Sequence, residues 1–272
     1  MNANSSSAQV TAFEDVHLGF ETQDVLRGLY FALSVRETKV LVGESGSGKT
    51  LILKLAAGLL RPDAGRVFLL GQDLGALDEK DLLRFRRRVG FVFQEGALFD
   101  SINVGENVAF RLREEDVEEE EIESRVREAL RFVELEEAME LMPADLSGGM
   151  RRRVSIARAL VSRPEVVFYD SPTAGLDPIT SQTIITLILR LRDLQGVSAL
   201  MATHRLQDAF AMANYRFDKA ANRVVRLPAA SANGNQAPET TLLFIRGGRV
   251  YFEGEPQAVL DSPDPYLKEF LV

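Results

Sequence analysis

A largely parallel α/β fold is what this 272-residue sequence predicts, on three observations. Short apolar, β-rich runs alternate with helix-like stretches from residue 164 to 213, the pattern of strands joined by crossover helices. One such run, KVLV, feeds directly into a glycine-rich loop and then a helix. Hydrophobic residues make up 46% and charged residues 26%, enough apolar surface for a sizeable core and against a largely disordered chain. The net charge of −8, with a pI near 5.1, argues against non-specific nucleic-acid binding, which needs a cationic footprint. With no cysteine, disulfides, thiolate zinc sites and cysteine nucleophiles are excluded.

Residues 1–10 read as a polar, disordered tail without the features of a signal peptide. VTAFEDVHLGF, LYFALSV and KVLV follow as strands. A helix is expected from Lys49 to about Leu60, ended by Pro62 and Gly65. RVFLL and RVGFVF are further strands, separated by a charged helix over 79–88. Residues 100–163 turn helical: Ile122, Val126, Leu130 and Val133 recur at spacings of four, four and three, one face of an amphipathic helix. The glutamates around them read as a solvated face. EVVFYD is a strand, 178–195 a helix, SALMAT a strand and 206–213 a helix. Residues 219–240, centred on LPAASANGNQAPE, read as a flexible insertion. TTLLFIRGGRVYFEG reads as a hairpin turning at Gly247-Gly248. No apolar run approaches the length of a spanning helix.

Gly43-Glu44-Ser45-Gly46-Ser47-Gly48-Lys49-Thr50 fits G-x-x-x-x-G-K-[ST], between strand and helix as that motif requires. Its glycines let backbone N–H groups turn inward around phosphate oxygens, and the helix N-terminus adds donors and a positive dipole end. Lys49 supplies a charge near the β- and γ-phosphates, and Thr50 a hydroxyl for Mg²⁺. Asp170, ending VVFYD, supplies the acidic partner such a site needs.

With these in hand, the sequence resembles the ATP-binding cassette (ABC) ATPases. Leu146-Ser147-Gly148-Gly149-Met150 resembles the LSGGQ signature, Ala174-Gly175-Leu176-Asp177 the D-loop, Gln94 the Q-loop glutamine and His204 the switch histidine. Phe20 stands where that family places a ring that stacks on adenine. The resemblance implies a P-loop NTPase fold with a helical signature subdomain and an antiparallel β subdomain. It places one domain at 11–272: a nucleotide-binding core at 11–99 and 164–272, and a helical subdomain at about 100–163. It implies ATP and Mg²⁺, with Thr50, Gln94 and Asp170 toward the metal. It also implies a dimer in which Ser147, Gly148, Gly149 and Asp177 reach the nucleotide of the other chain. QEGALFDSINVGENVAF, the methionine of LSGGM and the ending DPYLKEFL look like the ATPases of Mla/Mce-type lipid transporters. That implies lipid as cargo, an integral-membrane permease, a second copy or a paralogous ATPase, other components of that system, and a place at the cytoplasmic face of the membrane. His17 reads as structural or surface. The basic clusters Arg84, Arg86 to Arg88, and Arg151 to Arg153 read as solvated helix faces, with nucleotide, permease or anionic headgroups as the sharper alternative.

One residue departs from the family. Where its members carry a glutamate that activates water, this chain has Ser171. Serine is uncharged and not usefully basic near neutral pH, and losing a positioned base costs about 10²–10⁴-fold in rate. Three readings follow: His204 or Gln94 aims the water instead, the chain is a slow ATP-held clamp, or it completes a site on a different ATPase chain.

Overall fold

The computed structural model describes residues 9–21, 23–227 and 240–271. Two long antiparallel strands come first, β1 (Gln9–Phe20) and β2 (Gln23–Ser34). β3 (Thr38–Val42) runs through the glycine loop into α1 (Lys49–Ala56). β4 (Ala64–Leu69) and the two-residue β5 (Gln72–Asp73) extend the first pair into an antiparallel sheet of order β2-β1-β4-β5. α2 (Glu79–Arg86) leads to β6 (Val89–Val92), and then come α3 (Val104–Glu114), α4 (Glu119–Phe132) and α5 (Gly148–Leu160). β7 (Val166–Asp170), α6 (Pro178–Gln195), β8 (Ser198–Thr203) and α7 (Leu206–Asn214) follow in alternation. The chain closes with hairpin β9 (Tyr215–Asp218) and β10 (Arg223–Arg226), hairpin β11 (Thr240–Arg246) and β12 (Arg249–Gly254), and short helices α8 (Pro256–Leu260) and α9 (Pro265–Glu269).

The second sheet has the order β12-β11-β3-β8-β7-β6, parallel throughout except for β12 at its edge. A parallel strand covered on both faces must be apolar along its whole length, which explains the unbroken runs in β3, β7 and β8. The two-residue period of a strand then deals alternate side chains to two cores. Val167 and Tyr169 of β7, with Ala199 and Met201 of β8, join the core built with α3 to α7. Val166 and Phe168, with Leu200 and Ala202, join the core built with α1 and the antiparallel sheet. Ile122, Val126, Leu130 and Val133 lie in the first of these, as their spacing predicts.

Several expectations need correction. Residues 9 and 10 belong to β1 rather than to a tail: Val10 is 3% exposed and its carbonyl accepts the Leu70 N–H at 2.7 Å. The rest of the expected tail lies outside the described residues. The expected insertion at 219–240 is too wide: 223–226 pair with 215–218, and Thr240 already stands in β11. Its centre, 228–239, lies outside the described residues. α1 ends at Ala56, because Gly58, with φ +65°, takes the left-handed cap. The Gly58 N–H bonds the Leu55 carbonyl at 3.0 Å and the Leu59 N–H bonds the Lys54 carbonyl at 2.8 Å, a Schellman stop that precedes Pro62.

Most of the clustered arginines do not face water as free charges. Arg86 donates to the Gly58 carbonyl at 2.6 Å, and Arg88 pairs with Glu165. Arg151, Arg152 and Arg153 donate to the carbonyls of Leu146 (2.7 Å), Phe93 (2.7 Å) and Val133 (3.2 Å). Arg152 ties the helical segment to the turn before it, while Arg151 and Arg153 bond within the segment. Among the described residues, no helix is long and apolar enough to cross a membrane.

Candidate nucleotide site

β3 lies between β11 and β8, so the glycine loop leaves the middle of the sheet at its C-terminal edge, where ligands of open α/β sheets bind. Gly46 and Gly48 have φ +80° and +93°, which side chains disfavour. A Cβ on Gly48 would also stand 2.9 Å from Leu26, so the tip of β2 presses on the loop. No side chain caps α1, which leaves the N–H groups of its first turn for a ligand. Lys49 is 8% exposed, and its ammonium donates to the carbonyls of Gly43 (2.8 Å) and Glu44 (2.6 Å) and to the Ser47 hydroxyl (3.2 Å). Burial lowers its pKa, against the opposing charges of Asp170 and Glu44.

Asp170 ends β7 beside β8 and accepts the Thr50 hydroxyl at 3.0 Å. Burial raises its carboxyl above the ordinary range, opposed by the Thr50 hydroxyl and by Lys54 and Lys49. A buried carboxylate that is short of compensating charge, next to a hydroxyl, is a donor set that suits a hard cation such as Mg²⁺.

Ser171 follows at φ +46°, its N–H bonded to the Ala202 carbonyl at 2.9 Å. His204 follows β8 and is exposed; among the described residues its ring has no hydrogen-bond partner. Gln94 is likewise exposed, in a turn closed by the Gly96 N–H on the Phe93 carbonyl at 3.0 Å. Phe20 ends β1 with 51% of its surface exposed, at the strand tip next to the start of β2.

The signature residues form a second group. Ser147 caps α5, its hydroxyl accepting the Met150 N–H at 3.2 Å. Asp177 caps α6, accepting the Ile179 and Thr180 N–H groups at 3.0 Å and the Thr180 hydroxyl at 2.5 Å. A Cβ on Gly149 would stand 2.5 Å from the Thr180 methyl, so the two helix heads pack on each other. Gly148 is exposed beside them. The chain therefore brings 43–50, 94, 170–171 and 204 to the ends of neighbouring strands, and holds 147–149 with 177 as a separate patch.

Sequence reasoning missed the residues that tie these loops together. Arg152, 5% exposed, donates to the Phe93 carbonyl at 2.7 Å and the Ala174 carbonyl at 3.4 Å, joining the Gln94 turn to the loop after Asp170. Arg158 holds the same turn through the Ala97 and Gly96 carbonyls at 2.7 and 2.8 Å. Asp208, 4% exposed, accepts the hydroxyls of Thr173 and, at 3.4 Å, Thr203, so it links the segments that carry Ser171 and His204. The one sequence signal was a lone acid on the otherwise apolar face Leu206, Ala209, Met212.

The ABC transporter family matches residues 26–174. The chain is 38% identical over 196 residues to the intermembrane phospholipid transport system ATP-binding protein MlaF of Haemophilus influenzae, covering 71% of this chain and 74% of that one. It is 37% identical over 204 residues to the methionine import ATP-binding protein MetN of Mesorhizobium japonicum, covering 74% of this chain and 55% of that one. Among solved structures, the dimeric ATP-binding cassette MJ0796, in a post-hydrolysis state bound to ADP and Pi, superposes with TM-score 0.74 at 26% identity, over 90% of this chain and 98% of that one. A family match over more than half of the sequence agrees with the fold of a solved cassette, and the chain belongs to the ABC transporter family as one of its ATP-binding ATPase subunits.

Proposed function

We propose that this subunit couples ATP binding and hydrolysis, at a dimer interface, to lipid movement by an integral-membrane permease. One observation carries the nucleotide part: Thr50 and Asp170 meet at 3.0 Å beside the uncapped head of α1 and its buried lysine. The relative named for intermembrane phospholipid transport supports lipid as cargo. The methionine importer is matched over 55% of its own length and names the rival cargo. The chain works from the inner face of the membrane, held there by its permease.

The loop N–H groups and Lys49 grip the β- and γ-phosphates. The Lys49 ammonium gives up its carbonyl partners for phosphate oxygens. Thr50 and Asp170, with Gln94, would hold Mg²⁺, which would supply neutralisation of charge on the transferring phosphoryl group. Phe20 presents its exposed ring to the base. Ser147, Gly148, Gly149 and Asp177 face outward to the other chain's nucleotide, so a closed dimer completes both sites. Hydrolysis removes the γ-phosphate contacts that hold it closed.

Ser171 favours a second reading, a slow ATP-held clamp. Steady-state Mg-ATP turnover of the purified chain beside Lys49→Ala and Ser171→Glu separates the two. Wild-type turnover well above Lys49→Ala, with little gain from Ser171→Glu, supports a working motor. A wild type at the Lys49→Ala background, raised tenfold or more by Ser171→Glu, supports the clamp. Mass spectrometry of the ligand that co-purifies with the permease complex tests the cargo: phospholipid supports the proposal and free methionine overturns it.

A further inference from the structure

We propose that the cavity between the tails of α4, α5 and α6 is a second binding site, which takes a phosphate group carried by a small molecule or by a lipid headgroup.

The cavity holds about 530 Å³, inside the range of about 300–1,000 Å³ that small-molecule sites occupy. Pro164 and Val197, which precede β7 and β8, line it. It therefore opens at the N-terminal edge of the sheet, whereas the glycine loop leaves the C-terminal edge. The two sites do not overlap. In a chain of net charge −8, Arg125, Arg131, Arg163 and Arg190 line this cavity against one acid, Glu128. Three of the arginines are in ion pairs: Arg125 with Glu121, Arg131 with Glu136 at 2.8 Å and Arg163 with Glu128 at 3.2 Å. Pairs on the surface are weak, so these reopen readily to an arriving anion.

Arg190 is different. Its guanidinium lies over the rings of Phe132 and Phe217, 4.8 and 5.6 Å from their centroids. Among the described residues it has neither an ion pair nor a hydrogen bond, and its Nε is buried without a partner. With the rings against its face, what remains for the cavity is the outer N–H edge, which grips phosphate or carboxylate oxygens two at a time. Cations are favoured at helix tails by the carbonyls there, but that does not explain Arg190. Arg192, two residues on, donates to the Met212 and Tyr215 carbonyls, and Arg153 donates to that of Val133, whereas Arg190 donates to none. A half-buried cation without a partner is costly to keep, and an anion in the cavity relieves that cost.

The surroundings fit the rest of such a ligand. The Gln195 amide lines the cavity and has no hydrogen-bond partner among the described residues, so it adds donors. Phe132, Val161 and Val197 give an apolar shelf for the body of the molecule. Asp193 accepts the Phe217 N–H at 2.6 Å, so β9 and its ring are fixed against α6 before a ligand arrives. Three further guanidinium groups around one free fork suit a doubly charged group, hence phosphate rather than a single carboxylate.

NMR titration of the full chain with inorganic phosphate reads both sites at once, because their amides are distinct: 43–50 for the loop, and 129–132, 160–164 and 190–197 for the cavity. Both groups are expected to shift in the wild type. In Arg190→Gln the affinity at the cavity is expected to fall by at least about tenfold, the cost of a lost charge-assisted fork. The loop shifts stay as they were, which also shows that the variant folds. Arg190→Lys keeps the charge without the fork and falls between the two. Arg163→Glu, an exposed change, weakens the cavity alone and carries the test if Arg190→Gln does not fold. Absence of shifts at the cavity overturns the proposal. So does phosphate binding there that neither Arg190→Gln nor Arg163→Glu weakens, or that Arg190→Lys matches, which leaves a generic basic surface. Co-sedimentation with phosphatidylglycerol vesicles separates the two sources. Binding that falls in Arg190→Gln identifies a lipid headgroup, and cavity shifts with phosphate but no such vesicle binding identify a soluble phosphate compound.

Discussion

The two ends of the proposed nucleotide site are built differently. At the phosphate end the polar side chains are buried and engaged: Lys49 holds two carbonyls and a hydroxyl, and Asp170 holds Thr50. At the water end, Gln94 and His204 are exposed, and their side chains have no hydrogen-bond partner among the described residues. The difference teaches where the fold has fixed geometry in advance. The phosphate grip comes from the backbone of one chain. The water end offers groups on two loops whose spacing is set indirectly, by Arg152 and Asp208.

Breaking the phosphate end has the largest expected effect. Lys49→Ala removes the charge that meets the transferring group, and turnover is expected to fall by at least about 10²–10³-fold, the cost of losing one preorganised stabilising group. ATP affinity falls with it, measured by titration calorimetry. Undiminished turnover would remove the lysine from the site.

Arg152→Gln tests the water end without touching nucleotide. It frees the Phe93 and Ala174 carbonyls that now share one guanidinium. The expected outcome is a kcat about tenfold lower with ATP affinity kept, because a small misplacement of an orienting group costs on that order or more. Equal losses in kcat and affinity would mean that Arg152 supports the whole lobe and not the turn.

The same contrast governs what was legible in the sequence. The phosphate end was readable because its chemistry lies in one contiguous stretch, where glycine spacing states a backbone path. β3, β7 and β8 were readable because burial on both faces forces unbroken apolar runs. Gln9 was missed because a polar residue after a polar tail does not announce a strand that pairs it with Ser34. The β9–β10 hairpin was missed because its turn, DKAANR, has the composition of a loop. Arg152 and Arg158 were unreadable in principle: their acceptors are backbone carbonyls 59 and 61 residues away. The signature glycines were found by resemblance, yet the packing of Gly149 on Thr180 shows that one of them also answers a contact inside this chain.

Asp208→Asn sharpens the role of the second tie. The amide keeps the size of the side chain but loses the charge that strengthens hydrogen bonds from Thr173 and Thr203. Weakening a buried, charge-assisted pair costs about 1–3 kcal/mol. For a chain of this size, each kcal/mol lowers Tm by about 2–4 °C. Differential scanning calorimetry reads the shift, and an unchanged Tm would mean that the two loops are held by packing alone.

Asp170→Asn has the smallest expected effect on stability, with the opposite sign to Asp208→Asn. Burial raises the Asp170 carboxyl above its unfolded value, so folding favours its neutral form. The ligand-free chain is therefore most stable, in this respect, below the unfolded pKa, and loses that stability as pH rises through the folded one. At neutral pH the side chain is a buried anion that the Thr50 hydroxyl and two lysines only partly compensate. Asparagine keeps an oxygen for Thr50 without the charge. Tm of the ligand-free chain is expected to rise by about 2–4 °C for each kcal/mol relieved, with the gain shrinking as pH is lowered through the raised pKa. The same substitution is expected to abolish Mg-ATP turnover. A stabler chain that cannot turn over would show that the fold carries a cost at Asp170 so that a cation can be bound there. A fall in Tm at neutral pH would mean that Lys49, Lys54 and Thr50 already compensate the charge without one.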